Sequence, residues 1–273
     1  MGYFHYTDLN AIYSMLTNKN LRLTDIRYLN DSMELREGVT KLLDVIHQIQ
    51  PNENSAQEYF DKAKSYLEQG LKDSIDGGVS EDPIFVFSLS NQADCLSQWR
   101  GYGMYAIEFD PEVLREEVGR IYKCEYDNAS KVKLVMEKLN HAVSEVSLDM
   151  RQNYGCNNES IEVLSDLIAF STTLKSTGFN EECEYRVIAS SSLSGFSDNV
   201  KYRVRGDILI PYFEVPISLN CIKSITVGPI KNQSLAFNSL YEFVKKIERV
   251  HQLEIGNIEY EIDVNRSEIP YRE

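Results

Sequence analysis

Most of the motifs that announce a cofactor or a catalytic metal are missing from this 273-residue chain. There is no G-x-G-x-x-G and no G-x-x-x-x-G-K-[ST], so neither a dinucleotide-binding nor a P-loop fold is indicated. H-E-x-x-H and G-x-S-x-G are absent too. Of only four histidines, His47, His141 and His251 fall in expected helices with no partner at ligand spacing and read as surface or boundary residues. The five cysteines (Cys95, Cys124, Cys156, Cys183, Cys221) are scattered, with no C-x-x-C pair. That spacing suggests neither a zinc site nor a disulfide framework, and no metal is expected. No apolar run approaches the roughly 18 residues that cross a bilayer, and no signal-peptide pattern opens the chain. A cytoplasmic protein with no membrane partner is the expectation. Basic residues are also short, 28 Lys and Arg against 42 Asp and Glu, for a net charge of -14. Bulk attraction to a phosphate backbone is therefore not expected. Lys201, Arg203 and Arg205, alternating along one strand, leave room for a local basic face.

What is present suits an ordinary globular protein, 42% hydrophobic and 26% charged. The pattern predicts a first strand at Tyr3–Thr7, a helix capped by Thr7 or Asp8, and a brief strand at Leu21–Leu23. A capping-box pattern, Asp31-Ser32-Met33-Glu34, opens a helix to about Ile46, and a second helix runs to about Leu71. Strands follow at Ile84–Ser90 and Met104–Phe109, joined by a polar loop or short helix. Arg120–Tyr126 reads as a strand, and then come helices near 128–152 and 159–174. Beyond residue 180 the pattern turns to strands, at Glu184–Ala189, Val200–Arg205, Ile208–Val215 and Ile222–Val227. A helix from about 233 to 250 precedes a last strand, Ile258–Val264. Helices come in blocks rather than alternating with strands, so the fold class is α+β, a single domain over 1–273. Its core is a mainly antiparallel sheet with helical insertions near 32–75 and 128–174.

Two stretches carry candidate chemistry. In Phe179 to Ile188 a period of two puts Glu182, Glu184 and Arg186 on one face. Spacing alone fits a charged strand edge as well as a polar site. The other stretch is Tyr3-Phe4-His5-Tyr6-Thr7, where position alone fits a core histidine satisfied by a backbone carbonyl.

Tyr28-Leu29-Asn30-Asp31, Phe87-Ser88-Leu89-Ser90, Leu96 to Gly103, Glu182 to Arg186, Val200-Lys201-Tyr202 and Ser267 to Arg272 resemble the signature of a bacterial domain-of-unknown-function family, number 2971. The order of these blocks (aromatic-His first, a Ser-x-Ser strand in the middle, a Glu-bearing strand late) also resembles the ADP-ribosyltransferase fold, a split sheet. That resemblance implies an NAD-dependent ADP-ribosyltransferase or NAD glycohydrolase, with NAD as substrate, and a toxin or antiviral defence effector is one setting for it. An acceptor macromolecule, protein or nucleic acid, and a regulatory or antitoxin protein are the partners it implies. Cleavage passes through an oxocarbenium-like state, which a carboxylate at the ribose stabilises. By resemblance Glu184 is that carboxylate and Glu182 serves the acceptor. His5, Tyr6 and Thr7 would hold the ribose and adenosine side, and Ser88 and Ser90 would support the catalytic glutamate. Tyr28, Trp99 and Tyr102 are candidates to stack on nicotinamide, and Arg100 and Arg186 to pair with the pyrophosphate. Two other readings stay open: a non-catalytic nucleotide-sensing or protein-interaction module, and an enzyme acting on nucleic acid through the Lys201, Arg203, Arg205 face.

Overall fold

The computed structural model describes residues 2–29, 33–51, 56–76, 83–190 and 199–270. The capping-box residues Asp31 and Ser32, with Asn30, Tyr271 and Arg272, lie outside the described residues. Ten strands form one sheet: β1 (Tyr3–Thr7), β2 (Asn20–Asp25), β3 (Ile84–Ser90), β4 (Tyr105–Phe109), β5 (Ile121–Lys123), β6 (Glu184–Ser190), β7 (Lys201–Arg205), β8 (Ile208–Pro216), β9 (Ile222–Val227) and β10 (Asp263–Arg266). The helices are α1 (Leu9–Asn18), α2 (Glu34–Ile46), α3 (Gln57–Asp76), α4 (Leu96–Tyr102), α5 (Pro111–Val118), α6 (Asn128–Asn153), α7 (Asn158–Ser171) and α8 (Gln233–Ile255).

β3 is the centre of the architecture. It is the most apolar strand, and it pairs along its whole length with β6, from Ile84↔Ser190 to Ser90↔Glu184. Its other edge is shared. β1 takes the end at Phe4↔Ser90, and β2 takes Thr24↔Val86 and Asp25↔Phe85. The sheet is therefore split beside Phe87 and Ser88. It continues outward from β1 to β4, β9 and β10, and from β2 to β8 and β7. All described pairings are antiparallel except β9 with β10.

One face packs on α1, α5 and α8 through a core that includes Ile12, Leu16, Phe85, Phe87, Leu89, Leu114, Leu240 and Val244. Strand alternation places Phe85, Phe87 and Leu89 there and turns Val86, Ser88 and Ser90 to the opposite face. Over that opposite face, α2 and α7 cover Val86 with Leu35, Ile168 and Ala169. At its far end Trp99 of α4 packs on Tyr6 and Ala106. α2, α3, α6 and α7 hold a second core of their own, built on Val39, Leu42, Leu67, Leu139, Val143 and Leu167. The two expected insertions are thus halves of one helical layer. A Cβ on Gly38 would stand 2.0 Å from the Ser171 carbonyl oxygen, so α2 and α7 meet there at backbone distance.

Three expectations need correction. The strand Arg120–Tyr126 shrinks to β5, because after Lys123 the chain leaves the ladder and Glu125 bridges to Leu174 instead. The last strand is β10, Asp263–Arg266, not Ile258–Val264. α8 runs on to Ile255, ends on Gly256 in the left-handed region (φ 68°), and the chain turns before it can pair with β9. His251 is buried rather than a surface or boundary residue, and it hydrogen-bonds Asn220 at 3.0 Å.

Candidate functional site

The Glu-bearing strand opens on a 3-10 turn, Thr177–Glu182, that closes with Cys183 in the left-handed region at φ 44°. β6 therefore begins at Glu184, and only Glu184 and Arg186 share a strand face. Glu182 joins them by another route, through Lys175. The Lys175 ammonium contacts Glu34 Oε1 at 2.8 Å, Glu184 Oε2 at 2.6 Å, and Glu182 Oε2. Arg186 clamps Glu184 with two bonds, Nε to Oε1 at 2.7 Å and Nη2 to Oε2 at 2.9 Å. Its Nη2 also reaches Glu34 Oε2 at 2.7 Å, and its Nη1 donates to the Thr172 carbonyl.

Three carboxylates and two cations thus form one network, with a net charge of -1 if all are ionised. It is deeply buried, with Arg186 1%, Lys175 3%, Glu184 5% and Glu34 8% exposed. Burying charges on this scale is tolerated only when each is paired and hydrogen-bonded, and here each is. Burial by itself would push the Glu184 carboxyl up. The Arg186 and Lys175 charges outweigh it and hold the group down at about 2, well below the usual carboxylate range. Lys175 and Arg186 move up, because the glutamates outweigh the burial that would discharge them. The backbone around Glu184 is fixed as firmly: its N–H donates to Tyr126 Oη at 2.9 Å and its carbonyl accepts from Cys124 N at 2.9 Å.

Glu182 sits at the rim of this network. Its Oε1 accepts from Tyr102 Oη at 2.5 Å, and its backbone carbonyl accepts from Ser90 Oγ at 2.7 Å. Tyr102 is 40% exposed, so the pair stands where the network meets solvent. Burial of its phenol, with the bond to Glu182, raises the Tyr102 pKa. Tyr102 reaches this place because α4 ends at Gly103 (φ 141°), where a Cβ would lie 2.2 Å from the Thr7 carbonyl oxygen.

The structure brings some of the expected residues together and separates others. Glu182, Glu184, Arg186, Tyr102 and Ser90 converge. Phe4, Ser90 and Glu184 form one row across β1, β3 and β6, so alternation turns His5 to the other face of the sheet, where its ring stacks on Phe87 at 4.1 Å. His5 Nδ1 lies 2.8 Å from the Ser88 carbonyl oxygen at the split, as a histidine satisfied by a backbone carbonyl would. Burial lowers its pKa to about 4. Thr7 follows His5 on that face. Tyr6 buttresses the loop after β3, donating to the Gln92 carbonyl at 2.7 Å and accepting from Cys95 N at 3.1 Å.

Trp99 is 1% exposed and donates to Asp94 at 2.9 Å, so it is core and not a free stacking surface. Tyr28 sits beside Arg27, whose guanidinium lies 6.0 Å from its ring centroid. Arg100 is an exposed residue of α4. Arg186 spends its donors on Glu184, Glu34 and Thr172, so a pyrophosphate could reach it only by breaking the network. Lys175 and Glu34 were missed in the sequence. Glu34 read as a helix-capping glutamate, and no periodicity links positions 34, 175 and 184.

No curated protein and no solved structure matches the chain. Residues 98–187, which carry Tyr102, Lys175, Glu182, Glu184 and Arg186, match the family model described as Protein of unknown function (DUF2971), in support of the membership expected from the sequence.

Proposed function

We propose that this protein cleaves the bond between a ribose and its base in a nucleotide, with NAD as the substrate and ADP-ribosyl transfer or NAD hydrolysis as the outcome. The observation that carries the reading is the Glu182–Tyr102 pair at the rim of a network with three carboxylates against two cations. An oxocarbenium-like transition state gains positive charge on the sugar, so a fixed carboxylate that carries the excess negative charge of the network stabilises it more than the ground state. The split sheet beside β3 and the order of the sequence blocks support the same reading. The roles of the two glutamates are reversed from the sequence expectation. Glu182, at the rim, is the working carboxylate, and Glu184, locked by Arg186 and Lys175, is a positioning residue. The test is nicotinamide release from NAD by purified protein, followed chromatographically. Glu182→Gln keeps the shape and the Tyr102 bond, and is expected to lose about 100-fold or more in rate. Absence of release from wild-type protein at millimolar NAD would sink the reading.

The saturation of Glu184 and Arg186 favours a second reading, a nucleotide- or protein-binding module in which the network is only a structural rivet. It predicts binding that survives Glu182→Gln, with no turnover in either protein.

A further inference from the structure

On the face that carries Ser88, Glu184 and Arg186, the other side of the split holds a second group of polar side chains. β2 pairs with β8 as Arg22↔Glu214 and Thr24↔Tyr212, and β8 pairs with β7 as Tyr212↔Lys201 and Ile210↔Arg203. Arg22, Thr24, Tyr212, Lys201 and Arg203 therefore point to one face, and by the pairing Thr24↔Val86 it is the face of Ser88. Two of these groups are only weakly engaged. Arg22 Nε is buried without a hydrogen bond among the described residues, its nearest acidic atom being Glu214 Oε1 at 3.5 Å. Its guanidinium lies over the Tyr212 ring, 5.2 Å from the centroid. Arg203 has no carboxylate partner among the described residues and reaches over to Thr24 Oγ1, a long contact of 3.4 Å. Glu214 is already engaged by Lys201 at 2.5 Å. Burial, with the nearby Arg205 and Arg22 charges, lowers the Arg203 pKa. A buried guanidinium nitrogen without an acceptor is costly, and an anion would satisfy it.

We propose that Arg22 and Arg203 form an anion subsite that takes the phosphate groups of the nucleotide, an inference that rests on the glycosidic reading above for the identity of the ligand. Two guanidinium forks on one face match the geometry of a diphosphate. The subsite and the Glu182 rim lie on the same face, on either side of β3. β2 and β6 are two strand spacings apart, roughly 10 Å. An extended nucleotide can therefore be held by its phosphates at Arg22 and Arg203 while its ribose reaches Glu182. This replaces Arg186 and Arg100 in the role that the family resemblance implied for them.

The test is calorimetric titration of the full chain with inorganic pyrophosphate, ADP and adenosine. Wild type is expected to bind pyrophosphate and ADP, and adenosine far more weakly. Arg203→Gln is expected to weaken pyrophosphate and ADP at least tenfold, the loss of one charge-assisted contact. Arg22→Gln should act likewise, and Arg203→Lys, which keeps the charge and loses the fork, should fall between. Lys201→Gln, on the same strand but engaged by Glu214, should stay within about twofold. Pyrophosphate that does not bind at millimolar concentration, or that binds Arg203→Gln as well as wild type, overturns the subsite. If pyrophosphate alone is weakened and ADP is not, the subsite is not the nucleotide's, and the proposal falls in that form. Nicotinamide release measured beside these titrations separates the two ideas. Release without a pyrophosphate response removes only the subsite, and a pyrophosphate response without release removes only the glycosidic chemistry.

Discussion

Lys175→Met tests the network most directly. The substitution keeps most of the side-chain volume and deletes the single ammonium that touches Glu34, Glu182 and Glu184. Three carboxylates are then left with one guanidinium, and the net charge of the network goes from -1 to -2. Breaking a buried ion pair costs about 3–5 kcal/mol, because the remaining charge is stranded. Against a total stability of about 5–15 kcal/mol this is a large fraction. The loss must depend on pH, and the sign is fixed. In the wild type the folded Glu184 carboxyl sits at about 2, below its ordinary value of 4.5. Its contribution is present above about pH 4.5 and fades only as pH falls toward 2. In the variant Glu184 loses one of the two cations that hold it down, its folded pKa rises, and protonation relieves the repulsion. The gap between the two proteins should be widest near pH 8 and narrow toward pH 5. Urea unfolding followed by far-ultraviolet circular dichroism measures it, as a midpoint shift on the order of 1–2 M at pH 8. Equal losses at pH 5 and pH 8, or a loss under about 1 kcal/mol, would refute a charge-coupled network. Lys175→Arg, which keeps the charge, should recover part of the stability and serves as the control for packing.

Two further outcomes follow from other parts of the fold. His5 is neutral in the folded protein, with a pKa lowered from 6.5 to about 4, so the unfolded chain takes up a proton first as pH falls. Stability should drop by up to about 3 kcal/mol between pH 6.5 and 4 from this group, and His5→Gln should flatten that part of the urea midpoint profile. Gly38→Ala places a methyl 2.0 Å from the Ser171 carbonyl oxygen, forcing α2 off α7. A loss of about 1–3 kcal/mol in thermal or urea unfolding is expected, and an unchanged midpoint would contradict the close approach of the two helices.

The sheet was largely legible because its strands carry their own signals. Ile84–Ser90 is a long apolar run and Glu184–Ala189 alternates. The failures lie where tertiary contacts decide. Arg120–Tyr126 has strand-like residues, yet only Ile121–Lys123 finds a neighbour in β6. Residues 258–264 look like a strand, but the length of α8 and the turn at Gly256 set which part of them reaches β9. At the candidate site, Glu184 and Arg186 were visible as a two-residue alternation, and Tyr102 as part of the S-Q-W-R-G-Y-G block. Lys175 and Glu34 were not, because an ion pair between residues 141 positions apart leaves no local pattern. The carbonyl bond that position alone allowed for His5 exists, but its orientation depends on register with β3, which no single strand reveals.

That register bears on what the helical layer is for. Arg186 and Glu184 belong to the sheet, Glu34 begins α2, and Lys175 and the Thr172 carbonyl follow α7. The Arg186–Glu34, Lys175–Glu184 and Arg186–Thr172 contacts therefore join the sheet to the helical layer, while Arg186–Glu184 lies within β6 and Lys175–Glu34 within the helical layer. The Glu182 carboxylate is held by Lys175 on one side and by Tyr102 of α4 on the other. Its position is set jointly by both layers, so a displacement of α2 against α7 would reach it through Glu34 and Lys175. Gly38→Ala, placed at that helix contact, should for this reason disturb Glu182 chemistry as well as stability. A residue far from the rim would then alter nicotinamide release at temperatures where the protein remains folded. If the Gly38→Ala protein is measurably less stable yet releases nicotinamide at the wild-type rate, the network is a rivet only, and the position of Glu182 owes nothing to the helices.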